Sequence, residues 1–322
     1  MSTPKYKKIV QSIEDMIING RLKRGDRLPS LNELREKHSI SRDTVLMGFN
    51  ELKHRGVIKS VVGKGYYVTS ESVAVQMKIF LLFDEMNSFK EVLYNSFLSQ
   101  FTDAQVDVYF HHFNKKLFER LITDAQGNYS HYVIMPANFD QPEEIINTIP
   151  ADKVYILDQV PDALRPFPSV YQNFEIDIFN GLSAGLESLY NYQEIILLHT
   201  DKKQPLAFVN GCKRFCQQHG FSFEICNSVA DISLKMGTVY LTLDDQDLIY
   251  LIKSIKESSL EIARDIGIIS YNDTMLKEVV ADGITTISTD FELMGTTLAS
   301  MILNQEVARL HNPSHFISRN SL

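Results

Sequence analysis

The chain has 322 residues, 44% of them hydrophobic, enough to bury more than one core, so two domains are expected. No run approaches the ~18 apolar residues of a membrane span, and Lys5, Lys7 and Lys8 are not followed by the apolar stretch of a secretory signal. The formal charge of −8 is unevenly spread: residues 1–70 hold 14 Lys and Arg against 7 Asp and Glu, a formal +7, while the remainder holds 18 against 33, a formal −15. A short basic unit joined to a larger acidic one points to a polyanion as the partner of the first and something else for the second. Three cysteines (Cys212, Cys216 and Cys226) cannot all pair within one chain, so reduced thiols in a cytoplasmic protein are expected.

Ile9, Ile13 and Ile17 recur every fourth residue beside Tyr6 and Val10, predicting an amphipathic helix that stops at Asn19-Gly20. RGDRLPS (24–30) turns the chain. Ser30 followed by Glu33 has capping-box spacing, so a second helix starts there, carries Leu31 and Leu34, and breaks at His38-Ser39. Ser41 caps a third helix with Val45, Phe49 and Leu52 on one face; Arg42, Asp43 and Lys53 point away, and Gly56 closes it. Two short helices across a tight turn match a helix-turn-helix, whose second helix reaches base edges with its N-terminal residues. Arg42 sits at that place. Val57-Ile58-Lys59 and Tyr66-Tyr67-Val68 then flank Gly63-Lys64-Gly65 as a hairpin wing; the spacing of a P-loop is absent.

These seventy residues resemble the N-terminal domain of the GntR family of bacterial transcription regulators. The resemblance is carried by Ile18-Asn19-Gly20, Gly25-Asp26-Arg27-Leu28-Pro29-Ser30, Ser41-Arg42-Asp43-Thr44-Val45, Leu52 to Ile58 and Gly63-Lys64-Gly65. It implies a DNA-binding set of Ser30, Ser41, Arg42, Asp43, Thr44, Gly63, Lys64 and Gly65. In that set Arg42 contacts bases, Ser41 and Thr44 approach phosphates, and the wing enters the minor groove. Asn32 and Leu46 stand where many members carry charged residues that touch DNA, so the operator is expected to differ from the commonest family sequence.

TSESVAVQ (69–76) is small and polar without periodicity, giving a head over 1–69, a linker over 70–77 and a second domain over 78–322. KIFLLF reads as a buried parallel strand. Helix-like and strand-like runs then alternate: a helix through Val92 and Phe97, VDVYF, a helix around Leu117–Ile122, HYVIM, PEEIINTI, KVYIL, a long helix from 174, EIILLH, a helix through Gly211, FSFEIC, TVYLTL, DLIYLIKSIKE and IGIISY. This is α/β with parallel sheets, too long for one, hence two lobes. The region resembles the periplasmic-binding-protein-like effector domain of LacI/GalR regulators. The carriers are Lys78–Phe83 with Asn87-Ser88-Phe89, Val154–Asp158, Thr238–Asp245, Arg264–Asp273, Gly283–Ile287, Met294-Gly295 and Ile317–Ser321. A GntR-type head on such a body resembles arabinose-type repressors. The resemblance implies a two-lobed clamp with crossovers near 172, 289 and 318 that closes on a small effector, usually a sugar, with no cofactor.

Ligands of such lobes sit outside the carboxyl ends of strands. A sugar asks for paired acceptors for its hydroxyls and an aromatic face for its C–H side. Asp84, Phe89, Asp158, Gln159, Tyr171, Asp244, Gln246, Asn272 and Asp273 fall at such ends. Each also has a plain alternative, a helix cap for the aspartates and core for Phe89. Asp158, Asp244 and the Asn272/Asp273 pair match ligand-contacting strand ends of the family. Where members often place an arginine, this chain reads Asp201-Lys202-Lys203-Gln204-Pro205; either a lysine or Gln204 substitutes, or the ligand lacks the group that arginine holds, which favours an uncharged sugar.

Gly181-Leu182-Ser183-Ala184-Gly185 matches a nucleophile elbow, but helical spacing runs through it, so Ser183 is expected mid-helix and no enzyme is expected. Cys212, Cys216 and His219 share a helical face without a fourth metal ligand, so buried thiols are expected. His111-His112 are expected in a strand, facing opposite ways. The reading is a cytoplasmic, homodimeric, sugar-responsive regulator, with double-stranded operator DNA as partner and no membrane. It is expected to be a repressor released by a monosaccharide such as arabinose or fucose. The alternatives are a GntR-type regulator of a non-sugar effector (nucleoside, amino acid or metal), a hydrolase using Ser183, or a pyridoxal-phosphate fusion.

Overall fold

A computed structural model describes residues 5–70, 77–102, 104–199, 204–228 and 232–322. Most of the expected linker (71–76) and the stretch 201–203 lie outside the described residues.

In the head, α1 (Lys5–Ile18), α2 (Leu31–His38) and α3 (Arg42–His54) precede a hairpin of β1 (Ile58–Val61) and β2 (Gly65–Val68). Ser30 caps α2 in a full capping box with Glu33, and Ser39 ends it in a left-handed conformation. The isoleucines at 9, 13 and 17, with Leu34, Val45, Phe49, Leu52 and Val68, form one buried cluster. Gly48 lets α1 and α3 touch: a Cβ there would lie 3.0 Å from the Ile9 side chain and 3.2 Å from the Tyr6 carbonyl.

The second domain is two lobes. The first begins with β3 (Lys78–Phe83), α4 (Ser88–Leu98), β4 (Gln105–Phe110), α5 (Lys115–Ala125), β5 (His131–Ile134), α6 (Glu143–Ile146), β6 (Val154–Asp158) and β7 (Ser169–Tyr171). The second continues with α7 (Phe174–Ala184), α8 (Leu186–Leu189), β8 (Glu194–Leu198), α9 (Ala207–His219), β9 (Ser222–Cys226), β10 (Thr238–Thr242), α10 (Asp245–Lys256), β11 (Ile266–Tyr271), α11 (Met275–Val279) and β12 (Thr285–Thr289). The chain then returns through α12 (Phe291–Asn304) and β13 (Arg309–His311) before ending on β14 (Ser314–Ile317). The first sheet runs β13-β7-β6-β5-β3-β4, all parallel. The second runs β14-β12-β11-β10-β8-β9, parallel except for β14 against β12. Strands such as β6, β10 and β11 are buried along their whole length, as strands covered on both faces must be. α4 and α12 share the core on one face of the first sheet, and α7 and α9 do so for the second. Gly295 sets the α4–α12 distance, because a Cβ would meet the Leu93 carbonyl at 2.4 Å.

Three expectations need correction. The chain crosses between lobes near 172, near 290 and between His311 and Ser314, not near 318. The last crossing joins two strands of three and four residues, too short to show a period in sequence. PEEIINTI yields only the four residues of α6. His111 and His112 lie just past β4 rather than in it; His111 is buried, and His112 turns outward with φ 49°.

Candidate DNA interface and inter-lobe site

In the head, Arg42 is the first residue of α3 and is exposed, as are Ser41 and Asp43. The Ser41 hydroxyl accepts the Thr44 amide at 3.2 Å and shares a 2.8 Å hydrogen bond with the Thr44 hydroxyl, so the pair fixes the helix start beside Arg42. Ser30 does the same for α2, accepting Glu33 N at 3.2 Å while the Glu33 carboxylate accepts Ser30 N at 2.8 Å. Gly63, Lys64 and Gly65 form the tip of the hairpin; φ is 71° at Gly63 and 105° at Gly65, where a side chain would also press on the Arg27 guanidinium 3.2 Å away. The structure therefore puts an exposed arginine at a helix N-terminus and a basic hairpin tip in one small domain.

In the second domain the carboxyl ends of the two sheets meet at the crossings. Gln172, just past β7, is the joint. Its amide nitrogen donates to Asp158 Oδ1, and its carbonyl oxygen accepts the Tyr271 hydroxyl at 3.1 Å and the Thr289 hydroxyl. Asp158 ends β6 with φ 75°, a left-handed conformation costly for a residue other than glycine. Burial pushes its carboxyl up to about 6, against the pull of nearby Lys90. Lys90 is itself buried and paired with Asp84. A second contact spans the lobes: His311 Nε2 lies 2.9 Å from Asp177 Oδ1. Burial raises the Asp177 carboxyl, opposed by that histidine.

On the second lobe, Asp244 caps α10 by accepting Asp247 N at 2.9 Å and also accepts Gln204 Nε2 at 3.2 Å. Its plain role as a helix cap is thus filled, and its second oxygen is held by Gln204. The Gln204 side-chain oxygen and the Asn272 side-chain oxygen are buried without a hydrogen-bond partner. Asn272 has φ 58°. Lys277, 1% exposed, donates to the Tyr271 and Asn272 carbonyls at 2.9 and 2.7 Å and pairs with Asp245 at 3.0 Å, clamping that loop. Burial lowers its ammonium below the usual range, with Asp245 working the other way.

Three other candidates, Asp273, Phe89 and Tyr171, are already engaged within the protein. Both Asp273 oxygens are held by Arg319 at 2.7 Å, and although burial works to raise this carboxyl, the arginine keeps it below the usual carboxylate range. Phe89 is half-buried and stacked on Phe291, ring centres 4.8 Å apart. The Tyr171 ring lies beside His311 and under the Arg309 guanidinium, on the neighbouring strand. Gln246 is exposed in the first turn of α10, and Gln159 is half-buried after β6. The structure thus gathers Asp84 and Asp158 on one lobe, Asp244 and Asn272 on the other, and turns Asp273 to a structural pair. Sequence reasoning missed Lys90, Gln172, Tyr271 and Lys277. Tyr271 and Gln172 are 99 residues apart, and no periodicity relates them.

The decoys are absorbed by packing. Ser183 is inside α7 and donates to the Phe179 carbonyl at 2.7 Å. Cys212 and Cys216 are buried in the second lobe, and burial raises both thiols. Among the described residues no three His, Cys, Asp or Glu side chains group as a metal site, and no helix is long and apolar enough to cross a membrane.

A winged helix-turn-helix head on a two-lobed effector-type body defines a transcription regulator of hybrid build. Residues 5–68 match the family described as bacterial regulatory proteins, gntR family, and residues 192–319 match the periplasmic binding protein-like domain. The chain is 33% identical over 92 residues to the HTH-type transcriptional repressor YtrA of Bacillus subtilis, covering 29% of this chain and 67% of that protein. It belongs to the GntR family. The mannosyl-D-glycerate transport/metabolism system repressor MngR of Escherichia coli is 34% identical over 89 residues, covering 28% of this chain and 37% of that protein. The arabinose metabolism transcriptional repressor of Geobacillus stearothermophilus is 32% identical over 66 residues, 20% of this chain and 18% of that one. These two matches span well under half of those relatives' lengths. A transcription regulator-like protein from Staphylococcus haemolyticus superposes with a TM-score of 0.66 at 16% identity, covering 77% of this chain and 98% of that one. The lactose repressor bound to an anti-inducer gives 0.61 at 19%, covering 76% and 99%. These likenesses concern the fold.

Proposed function

We propose that this protein is a repressor that binds operator DNA through α3 and the wing and is released by a monosaccharide, such as arabinose or fucose, held between its lobes. The observation that carries the reading is the joint itself: Asp158, on one lobe, shares Gln172 with Tyr271 of the other. A ligand engaging Asp158 therefore bears directly on how the lobes meet, and an effector acts only through such a difference between states. The relatives named for mannosyl-D-glycerate and arabinose systems support a sugar. The polar donors and acceptors at the strand ends suit hydroxyl groups. A homodimer belongs to the proposal, since two heads read a near-palindromic site; α11 leaves Met275 and Val279 exposed as material for self-association.

The experiment pairs selection of bound duplexes from a random pool with a thermal-shift scan of free and phosphorylated monosaccharides on the full chain. A sugar at ~100 times its dissociation constant adds about 2.7 kcal/mol to stability, and that sugar should then weaken binding to the selected duplex. A flat scan would remove the sugar and leave a nucleoside, an amino acid or a metal as effector. Failure to select any duplex would remove the regulator reading altogether.

A further inference from the structure

The outward face of α3 is unusual for a surface meant for a polyanion. Its inward residues Val45, Phe49 and Leu52 are fully buried. The opposite side carries Arg42, Asp43, Leu46, Met47 and Asn50, spaced so that i and i+4 neighbours share a face. Met47 is 55% exposed and Leu46 half-buried, and neither belongs to the head's apolar cluster. Two aliphatic side chains thus stand one turn beyond an exposed arginine, on a domain whose formal charge is +7.

That charge selects nucleic acid over an apolar protein surface as the occupant of this face. In the major groove the apolar group a base pair displays is the thymine C5 methyl, and aliphatic side chains contact it. We propose that Leu46 and Met47 read thymine methyl groups next to the base edge taken by Arg42, so that each half-site carries at least one thymine there. The inference rests on the DNA-binding reading and adds to it the sequence feature that α3 recognises. It also accounts for apolar side chains on a helix face where packing does not use them.

The test uses the full chain on duplexes it selects from a random pool. Each thymine is replaced in turn by deoxyuridine, which keeps every hydrogen bond of the pair and removes only the methyl. One or two positions per half-site should lose about three- to fivefold in affinity, the effect of one buried methyl, and that loss should shrink in Leu46→Ala or Met47→Ala. If every uridine duplex is bound as tightly as its parent, or the loss persists unchanged in both variants, the methyl assignment is wrong while DNA binding stands. If no duplex is selected, the DNA-binding reading falls and this inference falls with it.

Discussion

The hydroxyl of Tyr271 donates to the side-chain carbonyl of Gln172 at 3.1 Å, joining the end of β11 in one lobe to the end of β7 in the other. Both groups are buried, so the bond acts where water does not compete. Because Gln172 also donates to Asp158, the state of that carboxyl is coupled to the lobe contact.

Asp158→Asn should therefore change stability with a defined sign. The folded carboxyl is pushed up to about 6 from an ordinary 3.8, so the stability linked to its protonated form is complete below pH ~4 and lost as pH rises through about 6. The asparagine keeps an acceptor for Gln172 and carries no charge. It should be more stable than the parent at pH 7.5, by roughly 2–3 kcal/mol at most, with the difference closing toward pH 4. Urea melts of both proteins from pH 4 to 8 check this; parallel pH profiles would contradict it.

Arg42→Ala should weaken binding to the selected duplex by about 1–3 kcal/mol without moving the effector-induced thermal shift. The side chain is exposed and the Ser41 cap remains. Fluorescence anisotropy with both proteins decides it, and unchanged affinity would displace α3 as the reading helix.

Gly295→Ala should loosen the first lobe. The added carbon would overlap the Leu93 carbonyl and the Ser96 hydroxyl of α4, and overpacking of this kind costs about 1–3 kcal/mol. Calorimetry should show a lower midpoint for the second domain, while the head, whose core is separate, keeps its own.

Lys277→Met should destabilise the second lobe by about 2–4 kcal/mol, since it strips the donor from the buried Tyr271 carbonyl and the partly buried Asn272 carbonyl and unpairs Asp245. Methionine nearly matches the stem, so packing alone would cost little. Amide exchange after β11 reports the change, and unaltered protection around Asn272 would argue against the clamp.

The sequence was most readable where structure is local. The capping box at Ser30, the stop at Gly20 and the Gly63–Gly65 turn are set within four residues, and they stand where the pattern put them. The long apolar runs of β3, β6, β10 and β11 were legible for the same reason. Short strands were not: β7 and β13 have three residues each and are held by pairing, β13 to β7 and β7 to β6. The candidate site was legible as strand ends but not as partners. That Arg319 would occupy Asp273, or Gln172 reach Asp158, depends on contacts 46 and 14 residues apart through the fold.

Both lobes are discontinuous in the chain, and this bears on how the molecule is made. The helix over Phe291–Asn304 supplies Met294, Leu298 and Ile302 to a core it shares with Leu93 and Phe97, threaded out about two hundred residues earlier. A growing polypeptide leaving the ribosome can close the basic head as soon as its first seventy residues emerge. The face of Leu93 and Phe97 must wait for nearly the whole remainder. For that interval the DNA-facing part exists without the part that would govern it.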